Sequence, residues 1–94
     1  TPIFVDFTAA WCITCQVNDK TTLSTDTIKQ LFKAKNITYM IADWTNEDPS
    51  ITAFLESHGH KGVPLYVYYP AGGEGIVLPQ ILTPQIVKET LIGE

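Results

Sequence analysis

Trp11-Cys12-Ile13-Thr14-Cys15 constrains the chain more than any other stretch. Its two cysteines are the only ones among 94 residues. The residues before it, Ile3-Phe4-Val5-Asp6-Phe7, are apolar and β-prone. The residues after it, from Ile13 to about Lys20, can form a helix. Cys12 therefore falls where a buried strand ends and a helix begins. The first turn of a helix has unpaired N–H groups and the positive end of the dipole, and both favour an anion. A thiolate is such an anion, and it is the form that attacks disulfides. Cys15 lies on nearly the same helix face, so it can reach back and close a disulfide with Cys12. A CxxC placed after a strand in an α/β pattern reads as a redox dithiol.

Other uses of a CxxC fit this chain less well. A structural zinc site needs four ligands, and His58 and His60 are the only histidines to add; they flank Gly59 rather than following the usual spacing. A purely structural disulfide across so short a loop removes little entropy from the unfolded chain. Copper(I) suits soft thiolates, but no other residue supports a copper module. The net charge is −4, and all six basic residues are lysines scattered along the chain, which argues against nucleic acid as a partner. No apolar run reaches the length of a membrane span, and no signal-peptide pattern is visible. Thr1-Pro2 leads straight into a strand, so residues 1–94 are expected to be a single domain excised from a longer chain.

Taken in order, Ile3 to Thr8 reads as a central strand. Asp6 interrupts it, and a carboxylate there is costly to bury unless paired or protonated. Its alternative is an outward-facing position. Thr21 to Ser24 reads as a break after the CxxC helix. Thr25-Asp26 can cap a second helix, with Ile28, Leu31 and Phe32 on one face. Ile37 to Ala42 is the next strand, and Asp43 to Asp48 a polar loop with Trp44 as its anchor. Asp48 and Pro49 start a helix that Gly59 ends. Leu65 to Tyr69 and Gly75 to about Ile81 are two strands joined by a short turn, hence antiparallel, the second bent at Pro79. Thr83-Pro84 starts the last helix, with Ile86, Val87 and Leu91 inward.

Val5-Asp6-Phe7-Thr8-Ala9-Ala10-Trp11-Cys12-Ile13-Thr14-Cys15 resembles the active-site signature of the thioredoxin superfamily, and Gly62-Val63-Pro64 is similar to its cis-proline loop. Ala42 to Pro49 and Gly62 to Tyr68 further resemble the C-terminal periplasmic domains of the DsbD family of thiol:disulfide interchange proteins. The resemblance covers nearly the whole chain. Together with the right-handedness of parallel crossovers, it implies an α/β thioredoxin-like fold. The central four-stranded mixed sheet has the order 2-1-3-4, its last strand is antiparallel, and helices flank it. It implies a protein-disulfide reductase in which Cys12 is the nucleophile, nearer the helix start and solvent, and Cys15 resolves the mixed disulfide. Asp6 lies beneath Cys15 and handles its proton, and Asp19 is an acidic residue near the site. Trp11 shields the pair and contacts partners. Val63 and Pro64, through a cis bond, bind an extended substrate segment. The dithiol carries both electrons, so no cofactor and no metal are expected. The partners implied are protein thiols and disulfides: a transmembrane electron-donor domain of the same polypeptide and a periplasmic acceptor. The chain itself would be a monomeric periplasmic domain of a bacterial inner-membrane protein. A free-standing thioredoxin-like reductase is the competing reading, and a CxxC metal-binding module the more distant one.

Overall fold

The computed structural model describes residues 2–92. Thr1, with which the expected lead into the first strand begins, lies outside them. The chain runs β1 (Ile3–Thr8), α1 (Ile13–Asn18), a π-helical turn (Asp19–Leu23), α2 (Asp26–Ala34) and β2 (Thr38–Asp43). It continues through α3 (Pro49–Ser57), β3 (Leu65–Tyr69), β4 (Ile76–Val77) and α4 (Pro84–Ile92). The four strands form one sheet in the order β2-β1-β3-β4. β2 runs parallel to β1, whereas β3 is antiparallel to β1 and β4 antiparallel to β3.

Alternation along the strands divides the core into two layers, as period-two side chains must. Phe4, Tyr66 and Tyr68 face one side, where Leu23, Ile28, Phe32, Val87 and Leu91 cover them. Phe7, Leu65 and Val67 face the other, against Leu55 of α3 and Trp44. Burying side chains such as Phe4 and Leu55 completely contributes about 1.5–3 kcal/mol each. Trp44 anchors its loop as expected: it is buried, and its indole N–H donates to Thr52 Oγ1 at 2.8 Å.

Local chemistry sets most element ends. Thr25 Oγ1 accepts from Ile28 N, Asp48 Oδ1 accepts from Ser50 N and Ile51 N, and Thr83 Oγ1 accepts from Ile86 N. Each satisfies amides that a helix start leaves unpaired. Gly59, with φ of 75°, closes α3.

Two expectations are corrected. Thr21 to Ser24 is not simply a break: the helical path continues as a π-turn to Leu23, because Thr22 and Leu23 are buried and hold the backbone against the sheet. The fourth strand is Ile76–Val77, far shorter than Gly75 to Ile81. Leu78 N still donates to Tyr66 O at 2.9 Å, but Pro79 has no N–H to carry the ladder further. At its start, Gly75 passes so close to β3 that a Cβ there would lie 2.7 Å from the Tyr69 ring.

The direction of β3 places the functional end of the sheet. Antiparallel pairing sets Leu65 opposite Phe7, so the segment just before β3 meets the C-terminal end of β1. Gly62-Val63-Pro64 and the CxxC thus converge, although about 50 residues separate them in sequence.

Candidate active site

Cys12 is the N-cap of α1, with extended backbone angles of φ −89° and ψ 105°. Its Sγ accepts from Cys15 N at 3.1 Å, the place a capping oxygen normally takes. Cys12 N donates to Ala9 O at 3.1 Å and Gln16 N donates to Cys12 O at 3.1 Å, fixing the turn from β1 into α1. Cys12 and Cys15 are joined in a disulfide, with Cα atoms 5.2 Å apart. Ala9 and Val63 pack against the pair.

The expected difference in exposure is not present in this disulfide form. Cys12 is 6% exposed and Cys15 4%, and both pack with Ala9 and Val63. What separates the two is their setting. Cys12 takes the cap position, while Cys15 lines a cleft of about 400 Å³ shared with Asp6, Asp19 and Tyr39.

Asp6 is 6% exposed, so the outward-facing alternative is excluded. The Tyr39 hydroxyl donates to its Oδ2. Its Oδ1 is buried and has no hydrogen-bond partner. Burial pushes the Asp6 carboxyl above the usual carboxylate range; the Tyr39 hydrogen bond opposes this, and the charge of Asp19 adds to it. Asp19 itself is exposed, at the start of the π-turn and on the rim of the same cleft. The structure therefore brings together Asp6, Asp19 and Cys15, residues spread over three elements.

Trp11 is 52% exposed. Its indole N–H donates to Thr45 O at 3.0 Å, and its ring lies 5.7 Å from that of Trp44. Val63 is half-buried and touches the disulfide cluster; Pro64 is buried, and the bond between them is cis.

Sequence reasoning missed three supports of the site. Thr45 accepts from Ala10 N through Oγ1 at 2.8 Å, so the loop after β2 holds the segment just before Trp11. Asp43 Oδ1 in turn accepts from Thr45 N at 2.9 Å and from its hydroxyl, and these bonds lower the Asp43 carboxyl below its ordinary value. The Asp43-Trp44-Thr45 spacing of a side-chain-closed turn was the available signal. Asn18 is the second. Its Nδ2 donates to Tyr66 Oη and Gln80 O, both at 2.8 Å, and its Oδ1 accepts from Leu82 N at 3.0 Å. The third, Gln80, then donates to Pro64 O at 3.4 Å, so one chain of contacts links the CxxC helix to the proline loop. Nothing in the local sequence pointed to Asn18 or Gln80, since their partners lie 48 or more and 16 residues away.

His58 stacks on Phe54 with ring centroids 4.5 Å apart, and its Nδ1 lies 3.0 Å from Phe54 O, while His60 Nδ1 lies 3.1 Å from His58 O. Among the described residues, no group of three or more His, Cys, Asp or Glu side chains is arranged to hold a metal ion.

A family model described as thioredoxin-like matches residues 1–71. Thiol:disulfide interchange protein DsbD 1 of Pseudomonas aeruginosa is 26% identical over 73 residues, and the match spans 78% of this chain but only 12% of that protein. The oxidised C-terminal domain of DsbD from Neisseria meningitidis is 25% identical, with a TM-score of 0.77 over 97% of this chain and 78% of that one. The reduced form of that domain is 24% identical, with a TM-score of 0.73 over 95% and 76% of the two chains.

Proposed function

The chain belongs to the thioredoxin-like family, and on that premise we propose that it is a protein-disulfide reductase of the DsbD type. The observation that carries this reading is the site itself: a disulfide between the capping Cys12 and a Cys15 that opens into a cleft holding the buried Asp6.

In the reducing direction the reduced Cys12 acts first. The Cys15 N–H at its Sγ and the helix start stabilise its thiolate. The thiolate attacks one sulfur of a partner disulfide; a Cys12–partner bond forms, and the partner's second sulfur leaves as a thiolate that takes a proton from solvent. Cys15 gives its proton to the Asp6 carboxylate and attacks Cys12. The Cys12–Cys15 bond forms and the partner is released with both of its sulfurs reduced. Two electrons move from dithiol to partner, and no cofactor is part of the reaction. Asp19 adds negative charge at the cleft and holds back ionisation of the dithiol in the absence of a partner. The Val63 backbone pairs with an extended segment of the partner as an added strand. Trp11, half-exposed and hydrogen-bonded to Thr45, forms the adjoining contact surface.

By likeness to DsbD, the chain is a periplasmic domain of an inner-membrane protein, and the donor that re-reduces Cys12–Cys15 is a membrane-embedded domain of the same polypeptide. No helix of the described residues is long and apolar enough to cross a membrane. The acceptors are periplasmic proteins or domains bearing a disulfide.

The test is trapping. Cys15→Ser is expected to accumulate a mixed disulfide with a disulfide-bearing partner, visible on non-reducing gels, and Cys12→Ser to accumulate none. Equal trapping through Cys15 alone would show the assignment of Cys12 as the nucleophile to be wrong.

A further inference from the structure

The cleft beside Cys15 contains a tyrosine that the reaction above does not use. Tyr39 sits on β2 opposite Phe4 in the parallel register, so its side chain leaves the same sheet face as Phe4 and Asp6. Its ring lies 6.0 Å from Phe4 and 5.7 Å from Phe32, and its hydroxyl reaches Asp6 Oδ2. Asp6 thus has one oxygen held and the other, Oδ1, buried and unpartnered.

We propose that Tyr39 is a positioning residue for the dithiol chemistry: its hydroxyl holds Asp6 Oδ2 and leaves Oδ1 as the oxygen that exchanges the Cys15 proton. This rests on the reductase reading. With Oδ2 engaged by Tyr39, Oδ1 is the oxygen without a partner and so the one open to a proton. A hydrogen bond donated to the charged form also favours that form, so Tyr39 keeps Asp6 able to accept a proton against the pull of burial. The Asp6 carboxylate can only accept, so the Tyr39 hydroxyl is the donor; burial and the neighbouring Asp6 raise that hydroxyl well above the ordinary tyrosine range, and it stays protonated throughout. The other groups facing Asp6 do not replace it. Asp19 and Lys20 come from the π-turn, Cys15 from α1, Asp43 from the end of β2 and Tyr66 from β3. Among these, the Tyr66 hydroxyl is taken by Asn18.

Ellman's reagent isolates the step. Reduced Cys12 attacks its disulfide and releases one thionitrobenzoate, leaving the second bound to Cys12. Cys15 then attacks the Cys12 sulfur; the Cys12–Cys15 bond forms and the second thionitrobenzoate leaves, while the Cys15 proton passes to Asp6. The rate of the second release is followed against pH. Tyr39→Phe retains the ring against Phe4 and Phe32 and removes only the hydroxyl. It is expected to move the acid midpoint of the second release upward by about one pH unit, the scale of one hydrogen bond to a charged group. In an Asp6→Asn background the same change is expected to move nothing. Titration of the Asp6 carboxyl by carbon-13 NMR should rise in Tyr39→Phe to match. An unchanged midpoint, a downward shift, or an equal shift in the Asp6→Asn background overturns the role of Tyr39 while leaving the reductase intact. A wild-type protein with no fast second release overturns both.

Discussion

Asp6 is a buried carboxyl with one oxygen left unpartnered, and its titration bears on the stability of the fold. Burial raises its carboxyl above the ordinary range, so the folded protein holds its proton to higher pH than the unfolded chain does. Stability from this group is therefore complete below the unfolded value near 3.9 and falls as pH rises through the folded value. Above the folded value the group is a buried carboxylate with one unpartnered oxygen. Asp6→Asn removes that charge and is expected to stabilise the protein at pH 7, by about 1.4 kcal/mol for each unit by which burial raises the folded carboxyl above its unfolded value. The gain should vanish below about pH 4, where aspartate and asparagine are both neutral. Urea denaturation at pH 7 and pH 3.5 measures it. An Asp6→Asn protein less stable than wild type at both pH values would mean that the charge is well compensated. On the proposed mechanism the same substitution removes the proton acceptor of Cys15, so stability and activity are expected to move in opposite directions.

At the scale of elements, the site depends on how α1 is joined to the strands around it. α1 is only six residues long, too short to persist without tertiary contacts. Asn18, fully buried at its end, replaces those missing turns with three hydrogen bonds to β3 and to the segment before α4. Both amide hydrogens and the carbonyl are used, so the group is satisfied. Asn18→Ala leaves Leu82 N, Gln80 O and Tyr66 Oη without these partners. It is expected to cost about 3 kcal/mol or more, above the usual range for a point change. Chemical denaturation of the oxidised protein reads this directly, and a loss under about 1 kcal/mol would show that water takes over the three bonds. The loop after β2 acts in the same way from the opposite side, through Thr45 on Ala10 and Trp11.

For the whole molecule, the question is whether the disulfide holds the fold or is carried by it. The two large core layers lie on either side of the sheet, and the cysteines belong to neither; they form a third, small cluster with Ala9. A bridge between residues three apart closes so short a loop that it restricts the unfolded chain by only about 2 kcal/mol in the chain-entropy account. Reduction is therefore expected to lower stability by no more than about 2 kcal/mol and to leave the far-ultraviolet circular dichroism unchanged. Unfolding on reduction would make the bond a structural staple and remove the basis for a redox function. A dithiol that cycles must leave the scaffold standing in both states, and here the cysteines lie outside both large core layers.

Local pattern carried much of this protein. The apolar run Ile3–Thr8, the caps at Thr25, Asp48 and Thr83, the left-handed Gly59 and the CxxC after a strand each depend on residues within a few positions of one another. Such features are written in the chain as it stands, and they gave the element order and the two cysteines of the site. The strand order 2-1-3-4 needed the family resemblance as well. The tertiary structure decided what depends on distant partners. That Asp6 is buried rather than outward-facing follows from its place between β2 and β3 under the CxxC segment. Tyr39 becomes its partner only because parallel pairing brings β2 alongside β1, and Asn18 becomes a junction only because Tyr66, Gln80 and Leu82 meet it there. No local pattern encodes these contacts, because a hydrogen bond between residues 33 or 48 positions apart exists only once the sheet has set the register.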